Sequence, residues 1–187
     1  MKRLPLFAVA LLIAVSALPL GAQDAKPEAA ATGVKAEILR QISDAESKLV
    51  ALAEEEPNEK YAWRPGDGVR SVGEVYIHVG FANYFLPTVW GAKQPEGMGK
   101  PADIEKSHGA DKGKALGYMK DSFAHVKKAV EGLSDADLDK TVNLFGRSTT
   151  TREALLLVAT HAHEHLGQAI AYARMNGITP PWSRRGE

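Results

Sequence analysis

Cysteine is absent from the 187 residues. That excludes disulfide frameworks, thiolate metal sites and cysteine nucleophiles, so any chemistry must run on histidine, carboxylates, hydroxyls and amides. Neither sign of charge is in surplus, because 23 Lys plus Arg balance 23 Asp plus Glu. With no excess of basic side chains to neutralise a phosphate backbone, nucleic acid is not an expected partner. A phosphate-cradling glycine loop, a dinucleotide fingerprint and a serine-nucleophile motif are missing too, so no short motif names a substrate. With 25% of residues charged and 44% hydrophobic, the composition fits one ordinary compact domain and not a disordered tail or a repeat array.

Long apolar runs are confined to the first residues. Lys2 and Arg3 precede a run from Leu4 to Leu20, and Leu20-Gly21-Ala22 offers the small residues a signal peptidase reads. Residues 1–22 are therefore expected to be a signal peptide cleaved after Ala22. Pro5 and Pro19 bracket only 13 apolar or small residues, short of the roughly 20 that span a bilayer, so no stable membrane anchor is expected after cleavage. The expected location is periplasmic or secreted. Cleavage removes Lys2 and Arg3 and leaves 21 basic against 23 acidic side chains, a net charge of −2. Residues 23–32, rich in Ala with Pro27, read as a linker, and the folded domain is expected over 33–182.

Four amphipathic helices are legible in that domain. Val34, Ile38, Ile42, Ala45, Leu49 and Leu52 recur at helical spacing, and the first helix is expected to stop at Pro57. Ser71-Val72-Gly73-Glu74 has capping-box spacing and opens a second helix, with Val75, His78, Ala82 and Phe85 as its stripe and an end near Trp90 and Gly91. Ala92 to Gly109, holding Pro95, Gly97, Gly99 and Pro101, shows no apolar period and reads as a crossover or a lid. Leu116, Met119, Phe123, Val126, Val130 and Leu133 mark the third helix, and Ser134 caps a short turn up to Asp139. Thr150-Thr151-Arg152-Glu153 is a second capping box and opens the longest helix, which ends at Asn176 and Gly177 before Pro180 and Pro181. No segment reads as a strand. The expected fold class is all-α, a four-helix bundle with a long crossover between helices 2 and 3, long enough to let those two lie parallel.

The chemistry lies in what occupies the buried stripes. Along the fourth helix the stripe reads Ala154, Val158, His161, His165, Gln168 and Tyr172. Burying two imidazoles and an amide costs on the order of 1–3 kcal/mol each unless partners are supplied. One partner is a metal ion, because residues four apart stand one above the other on a helix face and can converge on one ion. His78, at an equivalent position of the second helix, is the natural third ligand. Hydrogen-bonded core histidines are the alternative. His163 is turned about 200° from His161 and is expected to be exposed and outside the site. His108 and His125 are expected to be solvated. Glu74 is assigned to capping, and Gln168 either holds a ligand or water or pairs with backbone across the bundle. Glu164 points obliquely to the histidine face. Trp63-Arg64-Pro65 reads as an apolar plug and turn before the second helix.

Several of these pieces occur together in a known family. The chain resembles the DinB/YfiT-like superfamily of metal-dependent four-helix-bundle proteins. The matching segments are Tyr61-Ala62-Trp63-Arg64-Pro65, Ser71-Val72-Gly73-Glu74 with His78, and His161-Ala162-His163-Glu164-His165-Leu166-Gly167-Gln168 running into Tyr172-Ala173-Arg174-Met175-Asn176-Gly177-Ile178 and Pro180-Pro181. The resemblance implies a bundle with a crossover and a divalent metal held by His78, His161 and His165. It also implies a homodimer as a common assembly. Some members are thiol transferases that use bacillithiol or mycothiol. A signal peptide would send this chain away from the compartment where those thiols are kept reduced, which counts against that reaction here and leaves the metal site intact.

Three neutral imidazoles leave a divalent ion its full charge and one position open, which makes it a Lewis acid able to bring a bound water to a pKa of about 7. The expected function is a metal-dependent hydrolase or transferase acting on an unidentified small-molecule substrate. The alternatives are a non-catalytic bundle that binds a metal or small ligand, and a purely structural one. Imidazole suits zinc, nickel, copper and iron alike, so the expected cofactor is a divalent ion such as zinc, nickel or iron.

Overall fold

Each apolar stripe becomes the buried face of a helix. The computed structural model describes residues 33–184, so the expected signal peptide over 1–22 and linker over 23–32 lie outside the described residues. Helix α1, Val34–Glu55, buries Ile38, Ile42, Ala45, Leu49 and Leu52. It stops because Glu56 precedes Pro57 and takes an extended conformation, φ −67° and ψ 126°. Lys112 Nζ then donates to the terminal carbonyls of Glu54 and Glu56, both at 2.7 Å.

Helix α2, Val72–Phe85, opens on a complete capping box. Ser71 Oγ accepts from the Glu74 amide at 3.3 Å, and Glu74 Oε2 accepts from the Ser71 amide at 2.7 Å. Its core face departs from the expected single stripe. Tyr76, Ile77, Val79, Gly80 and Asn83 are buried along with Val75 and Ala82, while Phe85 is exposed. A helix sandwiched between others is apolar nearly all round, and periodicity then carries no direction. The α-helix ends at Phe85, earlier than expected, and Leu86–Trp90 continues as a 3₁₀ turn around Pro87, which has no amide to donate.

A helix and a hairpin stand where the sequence shows no period. Helix α3, Pro101–His108, lies inside the connection expected to be irregular, with Pro101 in its first turn. Strands β1, Thr141–Leu144, and β2, Arg147–Thr150, form an antiparallel hairpin where no strand was expected. Its two-residue loop puts Phe145 at φ 53° and Gly146 at φ 87°, the paired positive φ of a type I′ turn. Asn143 Oδ1 accepts from the Gly146 amide at 2.8 Å. Strands this short, half polar and joined by Phe-Gly in place of Asn-Gly, give little alternation to detect.

Helix α4, Lys112–Glu131, begins under Asp111 and buries Met119, Phe123, Val126 and Val130. Helix α5, Thr151–Met175, is capped by Thr150, whose side chain accepts from the Glu153 amide. The reciprocal arm of the expected capping box is absent, because the Glu153 carboxylate accepts from Arg147 and Thr149 instead. At its far end Ile178 donates to Ala173 O and Gly177 to Arg174 O, with Gly177 at φ 76°, which is a Schellman stop.

Side-chain pairings give the topology. Gly80 packs on Tyr118 and Ser122, and Tyr84 on His125, so α2 and α4 run parallel. Lys127 reaches Glu46 and Lys120 reaches Glu54, so α4 is antiparallel to α1. His78 faces His161 and His165, while Phe85 and Leu157 line one cavity further along, so α2 is antiparallel to α5. The result is a four-helix bundle, α1, α2, α4 and α5, with α3 in the crossover that returns the chain from the end of α2 to the start of α4. The crossover between the second and third long helices is the one expected. No described helix is long and apolar enough to cross a membrane.

One carboxylate lies deep in this bundle. Glu56 is 1% exposed and accepts from Tyr76 Oη at 2.6 Å. Burial pushes its carboxyl up to about 7, against the Tyr76 hydrogen bond and the Lys112 charge, which pull it down. A carboxyl held above its unfolded value favours the fold while protonated, so this contribution is complete below about pH 4.5 and fades as pH rises through 7. Glu56→Gln should therefore be the more stable protein at pH 8, by about 3 kcal/mol at most, and the gap should close by pH 4.5. Urea midpoints at the two pH values measure it; an equal gap at both would show that ionisation plays no part.

Candidate metal centre

His78 projects from α2, and His161 and His165 from successive turns of α5. The antiparallel packing of those helices brings the three rings together. Centroid separations are 5.2 Å for His78 and His161, 4.7 Å for His78 and His165, and 4.5 Å for His161 and His165. One ring nitrogen from each lies within 4.8 Å of the other two, and Nε2 of His78 is 3.3 Å from Nε2 of His161.

These residues fit a divalent ion. Two nitrogens bonded at about 2.0–2.1 Å to one tetrahedral centre stand about 3.3 Å apart. As a hydrogen bond between two rings, 3.3 Å is long. Two of the rings are also in the ligating protonation state. Burial lowers His78 to about 3, helped by the Arg70 charge and the neighbouring imidazoles, and burial beside the His165 imidazole lowers His161 to about 4. At neutral pH both are uncharged, which is the ligating form.

Around the rings, other groups fix their orientation. His165 is buried, and its Nδ1 donates to Gln168 Oε1 at 2.8 Å. Gln168 Nε2 in turn donates to Tyr172 Oη at 2.9 Å, and the Tyr172 ring meets Trp63 edge-on at 5.5 Å. With the proton held on Nδ1, Nε2 of His165 keeps a lone pair that could ligate an ion. Gln168 thus pairs with a histidine and a tyrosine on its own helix, not with backbone across the bundle. The Trp63 plug steadies this chain of contacts. Gln168→Leu should weaken metal binding about 10- to 100-fold while leaving the stoichiometry intact. A competition titration against a chelator measures this, and an unchanged affinity would refute the orienting role.

His78 has a different neighbour. Its Nδ1 is buried without a hydrogen bond, and Glu105 Oε1 on α3 lies 3.6 Å away, itself paired with Arg70 Nε at 3.0 Å. Glu105 lies on α3, which has no apolar period to mark it, though Pro101 followed by seven residues free of Gly and Pro is an available signal; Arg70 stands just before the α2 cap, where no motif distinguishes it. Glu74 stays with its cap and accepts from Arg64 at 3.0 Å. Glu164 is exposed.

The remaining histidines stay outside the triad, though less solvated than expected. His163 is half-buried against α1, with Nε2 at 3.2 Å from Gln41 O. His125 is half-buried against Tyr84, with ring centroids 5.1 Å apart, and burial lowers its pKa. His108 is half-buried, with Nδ1 2.7 Å from Ser107 Oγ. Each rides on a helix face that a neighbouring element covers.

The comparisons with known proteins agree with this architecture. Among solved structures, a DinB-like protein from Bacillus cereus superposes with a TM-score of 0.67 at 19% identity, covering 77% of this chain and 93% of the other. A DinB-like protein from Bacillus subtilis gives a TM-score of 0.60 at 22% identity, covering 76% and 93%. YfiT from Bacillus subtilis, described as a probable metal-dependent hydrolase with an unusual four-helix bundle topology, gives 0.62 at 16% identity, covering 82% and 94%. At these identities the likeness establishes the fold. A search among curated proteins returns no match. The family description "DinB superfamily" matches residues 41–169, from the middle of α1 to a point beyond the last histidine of the triad. By that match the chain belongs to the DinB superfamily.

Proposed function

We propose that this protein is an exported metal-dependent hydrolase or transferase that acts on a small molecule, with His78, His161 and His165 as the ligands of one divalent ion. The observation that carries the reading is the convergence of three ring nitrogens from two helices, two of them 3.3 Å apart. The description of YfiT as a probable metal-dependent hydrolase supports the choice of reaction class. When bound, the ion supplies Lewis acidity, which polarises a substrate oxygen or acidifies a water.

The chain's own residues do the rest. Three imidazoles carry no charge to offset the ion's, and three ligands leave a tetrahedral ion one position for exchange. Gln168 keeps the His165 proton on Nδ1. Glu105 stands behind His78 and can take a hydrogen bond from its Nδ1 after a small approach, with Arg70 holding the carboxylate in place. Two openings share Arg70 in their lining, an apolar one bordered by His78 and His161 and a polar one bordered by Glu105 and Gln168. The proposed location, periplasmic or secreted, rests on the signal-peptide pattern of residues 1–22.

The test has two parts. Protein recovered from its native compartment should carry about one divalent ion per chain and begin after Ala22. Reloading chelator-stripped protein with zinc, nickel or iron should restore turnover on a panel of small esters and amides and of acyl or thiol transfer pairs. Metal retained at one per chain with no turnover on any member would favour a metal-binding bundle without catalysis. No retained metal would remove the reading altogether.

A further inference from the structure

The apolar opening beside the triad is a cavity of about 320 Å³, in the small-molecule range. His78 and His161 form one side of it, and Phe81, Phe85, Phe145 and Leu157 form the apolar wall. Phe81 and Phe85 lie nearly parallel, with centroids 6.1 Å apart and planes 15° apart. Phe85 and Phe145 repeat this at 6.2 Å and 14°. Three rings stacked in near-parallel array give a rigid aromatic wall, against which a further ring can pack in an offset or edge-on arrangement.

Leu157 packs against the core, but packing gives no reason for Phe85 and Phe145. Phe85 is 37% exposed and Phe145 is 71% exposed, so neither ring completes the core. Phe145 moreover sits at φ 53°, a left-handed conformation that bulky side chains rarely adopt, at a hairpin position where Gly or Asn is the natural occupant. A large apolar residue kept exposed in an unfavourable backbone position is the pattern of a binding contact. On the other side of Arg70 the polar cleft, about 540 Å³, is lined by Arg64, Glu74, Lys106 and Gln168.

We propose that the cavity walled by Phe81, Phe85, Phe145 and Leu157 receives an aromatic ring of the substrate, attached close to the polar group that meets the histidine triad, with Phe145 as a residue that determines specificity. The remaining polar part of such a molecule extends past Arg70 into the cleft. This inference rests on the metal-dependent reading of the triad and names the substrate class for that site.

Two alkyl hydroxamates that chelate metal alike but differ in one phenyl group test it. In calorimetric titration of the zinc-loaded protein, phenylacetohydroxamate should bind at least about 10-fold more tightly than acetohydroxamate, from burial of the ring. Phe145→Gly, which relieves the positive φ, should cut that advantage several-fold with no fall in thermal midpoint. Equal binding of the two hydroxamates, or an undiminished advantage in the variant, overturns the proposal. A second arm uses chelator-stripped protein with indole as the probe and follows the phenylalanine ring signals by NMR. Shifts at Phe81, Phe85 and Phe145 support the cavity even if neither hydroxamate binds, a result that would sink the metal reading alone. Unmoved signals together with equal hydroxamate binding overturn the cavity and leave the metal reading standing.

Discussion

Replacing His161 with alanine should lower metal affinity by more than about 100-fold. That factor is near the upper end of what loss of an outer, orienting group does, and a direct ligand contributes more. His78→Ala and His165→Ala should behave alike, because the three ring nitrogens lie within 4.8 Å of one another. The same loss should appear in stability. A metal present at 1,000 times its dissociation constant stabilises the fold by about 4 kcal/mol, so the rise in melting temperature on adding metal should vanish in these variants. His163→Ala is the control, since that side chain turns to Gln41 on α1 and should leave the metal in place. Elemental analysis after dialysis reads the outcome. If His163→Ala lost metal as readily as His161→Ala, the assignment of helix faces would be wrong.

The second large effect belongs to the crossover. Gly73 in the first turn of α2 faces Gly109 at the end of α3, and a Cβ there would lie 1.8 Å from Gly109 O and 2.9 Å from the Tyr61 ring. A backbone carbonyl held by the turn into α4 cannot yield as a side-chain tip does. Gly73→Ala should cost about 3 kcal/mol or more, at the upper end of overpacking, and lower the melting temperature by roughly 6 °C or more. It should also disturb the metal site, because displacing α3 moves Glu105 away from His78. A urea midpoint within about 1 kcal/mol of the parent would show that the two chain segments part easily.

The long helices were legible because α1, α4 and α5 each turn one apolar face to a single core, and a 3.6-residue period survives that geometry. Ile38, Ile42, Leu49, Met119, Phe123 and Val126 all fell where the stripe put them. Helix α2 obeyed the rule less well, being covered on most sides. Helix α3 and the hairpin leave no periodic mark in the sequence, since eight residues without a buried side chain and two four-residue strands have too short a pattern to register. The site shows the same division. His161 and His165 announce themselves by spacing on one helix, whereas Glu105 lies 27 residues beyond His78 on an element no period revealed.

What the sequence determined alone was local: three one-faced helices, their caps, the proline stops, and a pair of histidines one turn apart. These follow from backbone hydrogen bonding and side-chain alternation within a few residues. Only the tertiary structure decided that α2 lies antiparallel to α5, that His78 therefore meets the α5 pair, and that Phe145 swings over the cavity beside them. Those are distances between residues about 65 to 85 positions apart. They depend on which faces exclude water from each other, a property of the assembled bundle.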